Sequence, residues 1–257
     1  MFLKMDMEKA FDKMEWKLIL TIMQSLGFHS TWLHWIESCI SSSSFSILLN
    51  GSPFGLFSPK KGLRQGDPLS PFLFILGSEV LLRLLLKEER LGNIKGMKIA
   101  SSSPAINHLL FANDLLLFGK ASLIEAASIK GCLDKYCSWS GQSINSKKSS
   151  IRFSKNTNPS TSSSILNILS YNPNPSCSIY LGLPILRGRS MRAAFQSISD
   201  SIQTKMEGWK AKTLSQAGRG VLIKVVAAAV PSYAMSTFLL PKTFYRKLDQ
   251  MFKNFWW

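Results

Sequence analysis

The stretch INHLLFANDLLLF, Ile106–Phe118, decides how the rest of the chain is read. Two apolar runs flank Asn113-Asp114, a pair that readily reverses a chain, so the segment predicts a β-hairpin with an acid at its tip. Strands behind such a tip hold a carboxylate rigidly and give it a direction, which is how a site presents charge to a metal ion. The same pair also suits a plain surface turn, because Asn and Asp tolerate left-handed backbone geometry. Taken alone, the hairpin favours the surface turn. Its neighbours along the chain change the balance.

At 257 residues, 46% of them hydrophobic and including 16 Phe and 7 Trp, the chain can bury a sizeable core in one large domain or two smaller ones. Cys39, Cys132, Cys137 and Cys177 show no paired metal-ligand spacing, and the three histidines lie far from them. That pattern predicts a reduced, intracellular protein, nuclear or cytoplasmic, without structural zinc. The opening MFLKMDMEKAFD becomes charged within a few residues and does not read as a signal peptide. Phe72–Leu86 carries Glu79 and Arg83, and Val221–Leu240 carries Lys224 and Pro231, so both are expected as core helices with no membrane partner. Charge is uneven. Residues 1–140 hold 15 Lys+Arg against 12 Asp+Glu, net +3; residues 141–257 hold 16 against 3, net +13. A basic C-terminal portion with so few interleaved acids suggests a phosphate-gripping region beside a chemical one, against the alternative of a solvated, highly soluble face.

In chain order, Phe2–Asp6 reads as a short strand ending in an acid, followed by a helix through Leu18, Ile19, Ile22, Met23 and Leu26 that Gly27 closes. Asp12, between them, suits either metal chemistry or a helix N-cap. A helix over Thr31–Ile40 opens at Ser30, and Asn50-Gly51 predicts a hairpin joining Phe45–Leu49 to Gly55–Ser58. In GLRQGDPLSP, Gly62–Pro71, Asp67 is the expected N-cap and Pro68 the first residue of a helix running to about Glu89. Just before it, Arg64, Gln65 and Gly66 form a reasonable cradle for a nucleotide or template base. Ser122 and Glu125 have capping-box spacing for a helix to Ser140, with Gly141 ending it. INSKKS, Ile144–Ser149, leads into a strand at Ser150–Phe153, and the Ser/Thr/Asn/Pro-rich Asn156–Ser164 reads as a flexible loop. Tyr180–Pro184 is a short strand or turn. Helical patterns at about 190–208, 214–230 and 242–255 follow, in a region that carries Arg187, Arg189, Arg192, Lys205, Lys210, Lys212, Arg219 and Lys224. No internal repeat is present.

The order MDMEKAFD, GLRQGDPLSP, FANDLLLF, INSKKS and YLGLP, continued through GWKAKTLSQAGRGVLIK, YAMSTFLLPK and the closing FWW, resembles the reverse transcriptase of plant LINE-type (non-LTR) retrotransposons across essentially the whole chain. The resemblance implies an α+β polymerase palm, an antiparallel sheet backed by helices, over residues 1–154. A flexible linker is expected at 155–177, then a primer-grip and mainly helical, basic thumb region at 178–257. It implies RNA-directed DNA polymerase chemistry on an RNA template, a DNA primer and deoxynucleoside triphosphates, with two Mg²⁺ or Mn²⁺ ions activating the primer hydroxyl and clamping the phosphate. Asp6 matches the first metal-binding acid and Asp114 a hairpin acid. Phe11 matches the aromatic that crowds the sugar 2′ position, and Arg64, Gln65 and Gly66 match the turn near nucleotide and template. Lys148 matches the lysine near the triphosphate. Tyr180, Leu181 and Gly182 match the primer grip, and Lys210, Lys212, Arg219 and Lys224 the phosphate-holding thumb.

Two departures qualify the resemblance. The family hairpin carries two adjacent aspartates, of which the first bridges the metals; here that catalytic position is Asn113, whose amide oxygen brings no charge. Losing such a ligand should cost roughly a thousandfold or more in rate. The chain also starts almost at the first catalytic strand and stops at Trp257, so the fingers and later domains are expected to lie outside it. A truncated, inactive copy follows, with a basic nucleic-acid-binding remnant as the non-enzymatic alternative. Either way, binding to nucleic acid should be independent of sequence, should map to residues after Gly141, and should weaken steeply with salt as counterions are released. Titrations of labelled RNA and DNA across a salt series check this.

Overall fold

The computed structural model describes residues 1–170, 179–181, 183–184, 195–208 and 213–257. Gly182, Lys210 and Lys212, together with Arg187, Arg189, Arg192 and Cys177, lie outside the described residues. The chain divides into two compact units, Met1–Cys177 and Ser178–Trp257.

The first unit runs β1 (Phe2–Asp6), α1 (Ala10–Lys13), α2 (Trp16–Ser25), α3 (Ser30–Ser41), β2 (Phe45–Leu49), β3 (Ser52–Phe57), α4 (Ser70–Arg90), β4 (His108–Phe111), β5 (Asp114–Phe118), α5 (Leu123–Ser140), β6 (Ser150–Arg152) and α6 (Pro159–Leu169). This is α+β. β4, β5, β1 and β6 form one antiparallel sheet in that order. Residues directly opposite across an antiparallel pair share a face, and successive residues alternate. Leu3 pairs with Leu117 and Ile151, and Met5 with Leu115. All five are buried, in one cluster with Leu73, Leu81 and Leu85 of α4 and Ile129, Leu133 and Tyr136 of α5. Each fully buried aliphatic side chain is worth roughly 1.5–3 kcal/mol. The opposite face of the sheet carries the buried Leu116 and Phe118 at one end and Lys4, Asp6, Phe111 and Asp114 at the other, and that second end is left for chemistry.

Local signals place the helix ends. The Ser122 hydroxyl accepts the Glu125 N–H at 3.3 Å, and Gly141 closes α5 at φ 71°. Glu125 does not complete a capping box; its buried carboxylate accepts the Lys120 N–H at 2.8 Å instead. α4 begins later than expected. Asp67 accepts the Leu69 N–H at 2.8 Å and shapes the approach, while Leu69 occupies the N-cap and Pro71 sits in the first turn. Asp12 lies inside α1, not at its cap; Lys9 holds that place in a left-handed conformation.

The stretch expected as a flexible loop, Asn156–Ser164, is helical from Pro159 onward, in α6, which runs to Leu169 within the linker expected at 155–177. Asn158 caps it, accepting the Ser160 N–H at 3.0 Å, and Pro159 fills its first position. Ile165 and Leu169 are buried in the main core, so hydrophobic burial outweighs the poor helix propensity of the serines. The β2–β3 hairpin turns at Asn50-Gly51, both left-handed, but every residue of its two strands is exposed.

In the second unit, short strands Ile179–Tyr180 and Leu183–Pro184 pair with each other. Helices follow at Gln196–Glu207, Gln216–Leu222, Ala229–Thr237 and Lys242–Trp256, with a π-helical turn at Ile223–Ala227. Pro231 lacks an N–H for the carbonyl four residues back, Ala227, and that missing bond accompanies the wide turn. Phe195, Ile202, Met206, Phe244 and Leu248 form its core. The apolar run within Val221–Leu240 is not the core helix it was expected to be. Among the described residues Gln216–Thr237 is the helical run long and apolar enough to cross a membrane, and most of it is exposed; it buries little more than Ala227, Pro231 and Ala234.

Ile165→Ala should lower the unfolding free energy by about 2–4 kcal/mol in chemical denaturation, as for a core position. A change within about 0.5 kcal/mol would instead fit a solvated loop.

Candidate active site

The register of β1 against β5 brings Asp6 directly opposite Asp114, more than a hundred residues away in sequence. Directly paired residues in such sheets lie roughly 4.5–5.5 Å apart at Cα. The hairpin turns one residue earlier than expected. Phe111 pairs with Asp114, so Ala112-Asn113 forms the two-residue loop, with Ala112 left-handed at φ 51°. Asp114 therefore opens a strand and does not sit at the tip. Asn113 faces the first acid: its carbonyl accepts the Met7 N–H at 3.2 Å and its Nδ2 donates to Asp6 Oδ1 at 3.3 Å.

Asp6 is held from the other side by the INSKKS segment. Its N–H donates to Ser149 Oγ at 3.1 Å, and its carbonyl accepts the Asn145 N–H at 2.8 Å. Asn145 folds this segment into a tight turn, its Oδ1 accepting the N–H groups of Lys147 and Lys148 at 3.1 and 3.2 Å. The turn carries Lys148 over the site, Nζ 3.6 Å from Asp6 Oδ2. Ser149 and Asn145 thus position the site although the sequence reading gave them no role; their signal is an Asx-turn pattern just before a strand. Burial pushes the Asp114 carboxyl above its usual range, Lys4 and Lys148 oppose that, and Asp6 adds to it.

Phe11 stacks on Phe74 of α4, ring centroids 4.8 Å apart and planes 10° apart, and lines a cavity with Phe111 and Ala112. Arg64, Gln65 and Asp67 line a separate cavity of about 580 Å³ with Asp12 and Lys61. The loop bearing them is pinned to the first motif: Gly62 N–H donates to Met14 and Leu63 N–H to Phe11, at 2.8 and 2.7 Å. A Cβ on Gly62 would stand 2.6 Å from the Asp12 carbonyl oxygen, so only glycine allows this approach. Arg64 itself donates to the Cys39 carbonyl at 2.9 Å.

The expected metal ligands are Asp6 and Asp114, and among the described residues no group of three or more His, Cys, Asp or Glu side chains could hold an ion. Two adjacent divalent cations need more negative charge than this, and both oxygens of Asp6 already face donors. The donor set does not fit a two-ion centre.

In the second unit, Tyr180 and Leu181 lie at the small hairpin and Lys224 is exposed in the π-helical turn. Arg219, expected as a phosphate contact, is half-buried. Its Nη1 points at the carbonyls of Phe255 and Trp256, both at 3.5 Å, at the negative end of the last helix. The Trp256 ring lies where a Cβ on Gly220 would be, 2.6 Å away, so Arg219 and Gly220 together seat the closing FWW. Arg219→Ala should therefore lower unfolding free energy by about 1–2 kcal/mol. It should leave the salt slope of nucleic-acid binding unchanged, whereas loss of a phosphate contact would reduce that slope by about one.

Residues 1–185 match the family described as Reverse transcriptase (RNA-dependent DNA polymerase). An uncharacterized mitochondrial protein of Arabidopsis thaliana is 54% identical over 68 residues, 26% of this chain and 56% of that protein. An uncharacterized 149 kDa protein of transposon TX1 from Xenopus laevis is 24% identical over 259 residues, covering 100% of this chain and 19% of its own length. The Pol polyprotein of a type-1 retrotransposable element R2 from Popillia japonica is 32% identical over 146 residues, 56% of this chain and 20% of the polyprotein. The chain thus spans about half of the first relative and about a fifth of the other two.

Proposed function

The chain belongs to the reverse transcriptase (RNA-dependent DNA polymerase) family, and on that premise we propose that it is the palm and primer-holding part of a LINE-type retrotransposon polymerase whose transfer centre is disabled in this copy. The observation that carries the proposal is Asn113. It stands beside Asp6 and opposite Lys148, where the family places a metal-bridging acid, and it gives a hydrogen bond in place of a charge. Reverse transcriptases use Mg²⁺ or Mn²⁺; with Asp6 and Asp114 as the carboxylates here, the centre lacks the charge to hold two such ions.

The remaining assignments follow the same reading. Phe11, at the edge of the open face, crowds the sugar of an incoming deoxynucleotide. Arg64, Gln65 and Gly66 border the template side. Lys148 faces the triphosphate, and Tyr180, Leu181, Gly182, Lys210, Lys212 and Lys224 contact primer and template. What supports a nucleic-acid partner is the net +13 of residues 141–257. Arg219 faces the carbonyls that end the last helix, so the exposed lysines carry more of this contact.

With a primed RNA template, deoxynucleotides and either Mg²⁺ or Mn²⁺, the chain should retain the primer–template in a gel-shift assay yet give no extension above background. Robust extension by the unmodified chain would show that Asp6 and Asp114 suffice and would overturn the role given to Asn113.

A further inference from the structure

We propose that the second unit holds a binding site for a phosphate group, built where the start of its last helix, Lys242–Trp256, meets the helix Gln196–Glu207. The site is independent of the open sheet face in the first unit.

Gln196, Ser199, Thr243, Phe244 and Lys247 line a cavity of about 270 Å³ between these two helices. Ser199 is 1% exposed, and its hydroxyl has no hydrogen-bond partner among the described residues. Buried helical serines commonly return the hydroxyl to the carbonyl four residues back, as Ser78 and Ser140 do in the first unit. Ser199 does not. A buried hydroxyl left unpaired is costly, and the cavity it borders is where a partner would enter.

The surroundings suit an anion. The last helix begins at Pro241 with no side chain capping its first turn, and Thr243, in that turn, lines the cavity. The N-terminus of a helix carries partial positive charge and unpaired N–H groups. Lys247 lies one turn further on, its ammonium held by the neutral Gln196 carbonyl oxygen at 3.4 Å and not by a carboxylate. Asp200, beside Ser199 in sequence, is engaged by the other end of that amide, its Oδ1 accepting from Gln196 Nε2 at 2.7 Å. Two hydroxyls, an ammonium and a helix start thus converge on one recess. A terminal phosphate, with about two negative charges and three strong acceptor oxygens, uses all of them, whereas a carboxylate leaves donors unmet.

Inorganic phosphate titrated into the full chain at constant ionic strength, followed by phosphorus NMR line broadening, tests this. Ser199→Ala removes a hydroxyl that the fold does not use. It should leave the thermal unfolding midpoint without phosphate unchanged or slightly higher, and weaken phosphate binding about three- to tenfold. Lys247→Met should weaken binding about threefold, and Lys253→Met, the same loss of charge at the far end of the helix, should not. A lower midpoint for Ser199→Ala would show that its hydroxyl already has a structural partner, and unchanged phosphate affinity would show that the cavity is not the site; either result overturns the proposal. So does equal weakening by the two lysine substitutions, which would mean that phosphate answers only to the net charge of +16, and so does absence of binding to the unmodified chain. An oligonucleotide with and without a terminal phosphate identifies the source. Tighter binding of the phosphorylated strand, lost in Ser199→Ala, makes the ligand a nucleic-acid end; equal binding of the two strands makes it a free phosphate or mononucleotide.

Discussion

The pairing of β1 with β5 is the constraint on which the first unit depends. Its register puts Leu3 and Met5 against Leu117 and Leu115 on the core side, and in the same stroke puts Asp6 against Asp114 on the open side. A slip of one residue would turn Leu3 and Met5 outward and bury Lys4 and Asp6 among leucines, at a cost of several kcal/mol for each unpaired charge. Core packing therefore enforces the position of the acids. The geometry of the site follows from apolar side chains that never touch it.

Much of this is legible in the sequence because the two periodicities are strong. Phe2–Asp6 alternates, the leucines of Leu115–Leu117 form a run that a central strand buries, and the Ser122 and Gly141 signals mark both ends of α5. The hairpin itself is legible; its frame is not. Asn-Asp is the better turn pair by local propensity, yet Ala112 takes the left-handed position. The hydrogen bonds that Asn113 gives to Asp6 and accepts from Met7, and the pairing of Asp114 with Asp6, are long-range terms, and they outweigh a local preference of about 1–2 kcal/mol. α6 is hidden for a related reason. Its first half is Pro, Ser and Thr, which composition assigns to a loop, while Ile165, Leu166, Ile168 and Leu169 sit in its second half and supply the burial that makes it a helix.

Arg219 shows the limit of reading charge from a sequence. In a segment with 16 basic residues and 3 acidic ones, any arginine looks like a phosphate ligand. This one lies next to Gly220, whose missing side chain admits Trp256, and that contact draws the end of the last helix to the guanidinium. The glycine is visible in the sequence, but its partner lies 36 residues on, and only the fold joins them.

The same face separation means that a change at position 113 need not disturb the core. Asn113 differs from aspartate by one oxygen-to-amide exchange on the open side of the sheet, away from Leu3, Met5, Leu115 and Leu117. An aspartate there would stand beside Asp6 and Asp114 and, without cations, would add like-charge repulsion to a carboxylate that burial already pushes up. The asparagine replaces that repulsion with a hydrogen bond to Asp6. In the absence of metal an asparagine at this position is neutral to stabilising for the fold, so stability offers no pressure to retain an acid there. Asp6, Asp114, Lys148 and Asn113 stay together through contacts of their own: the sheet register sets Asp6 opposite Asp114, and Lys148 and Asn113 each face one oxygen of Asp6.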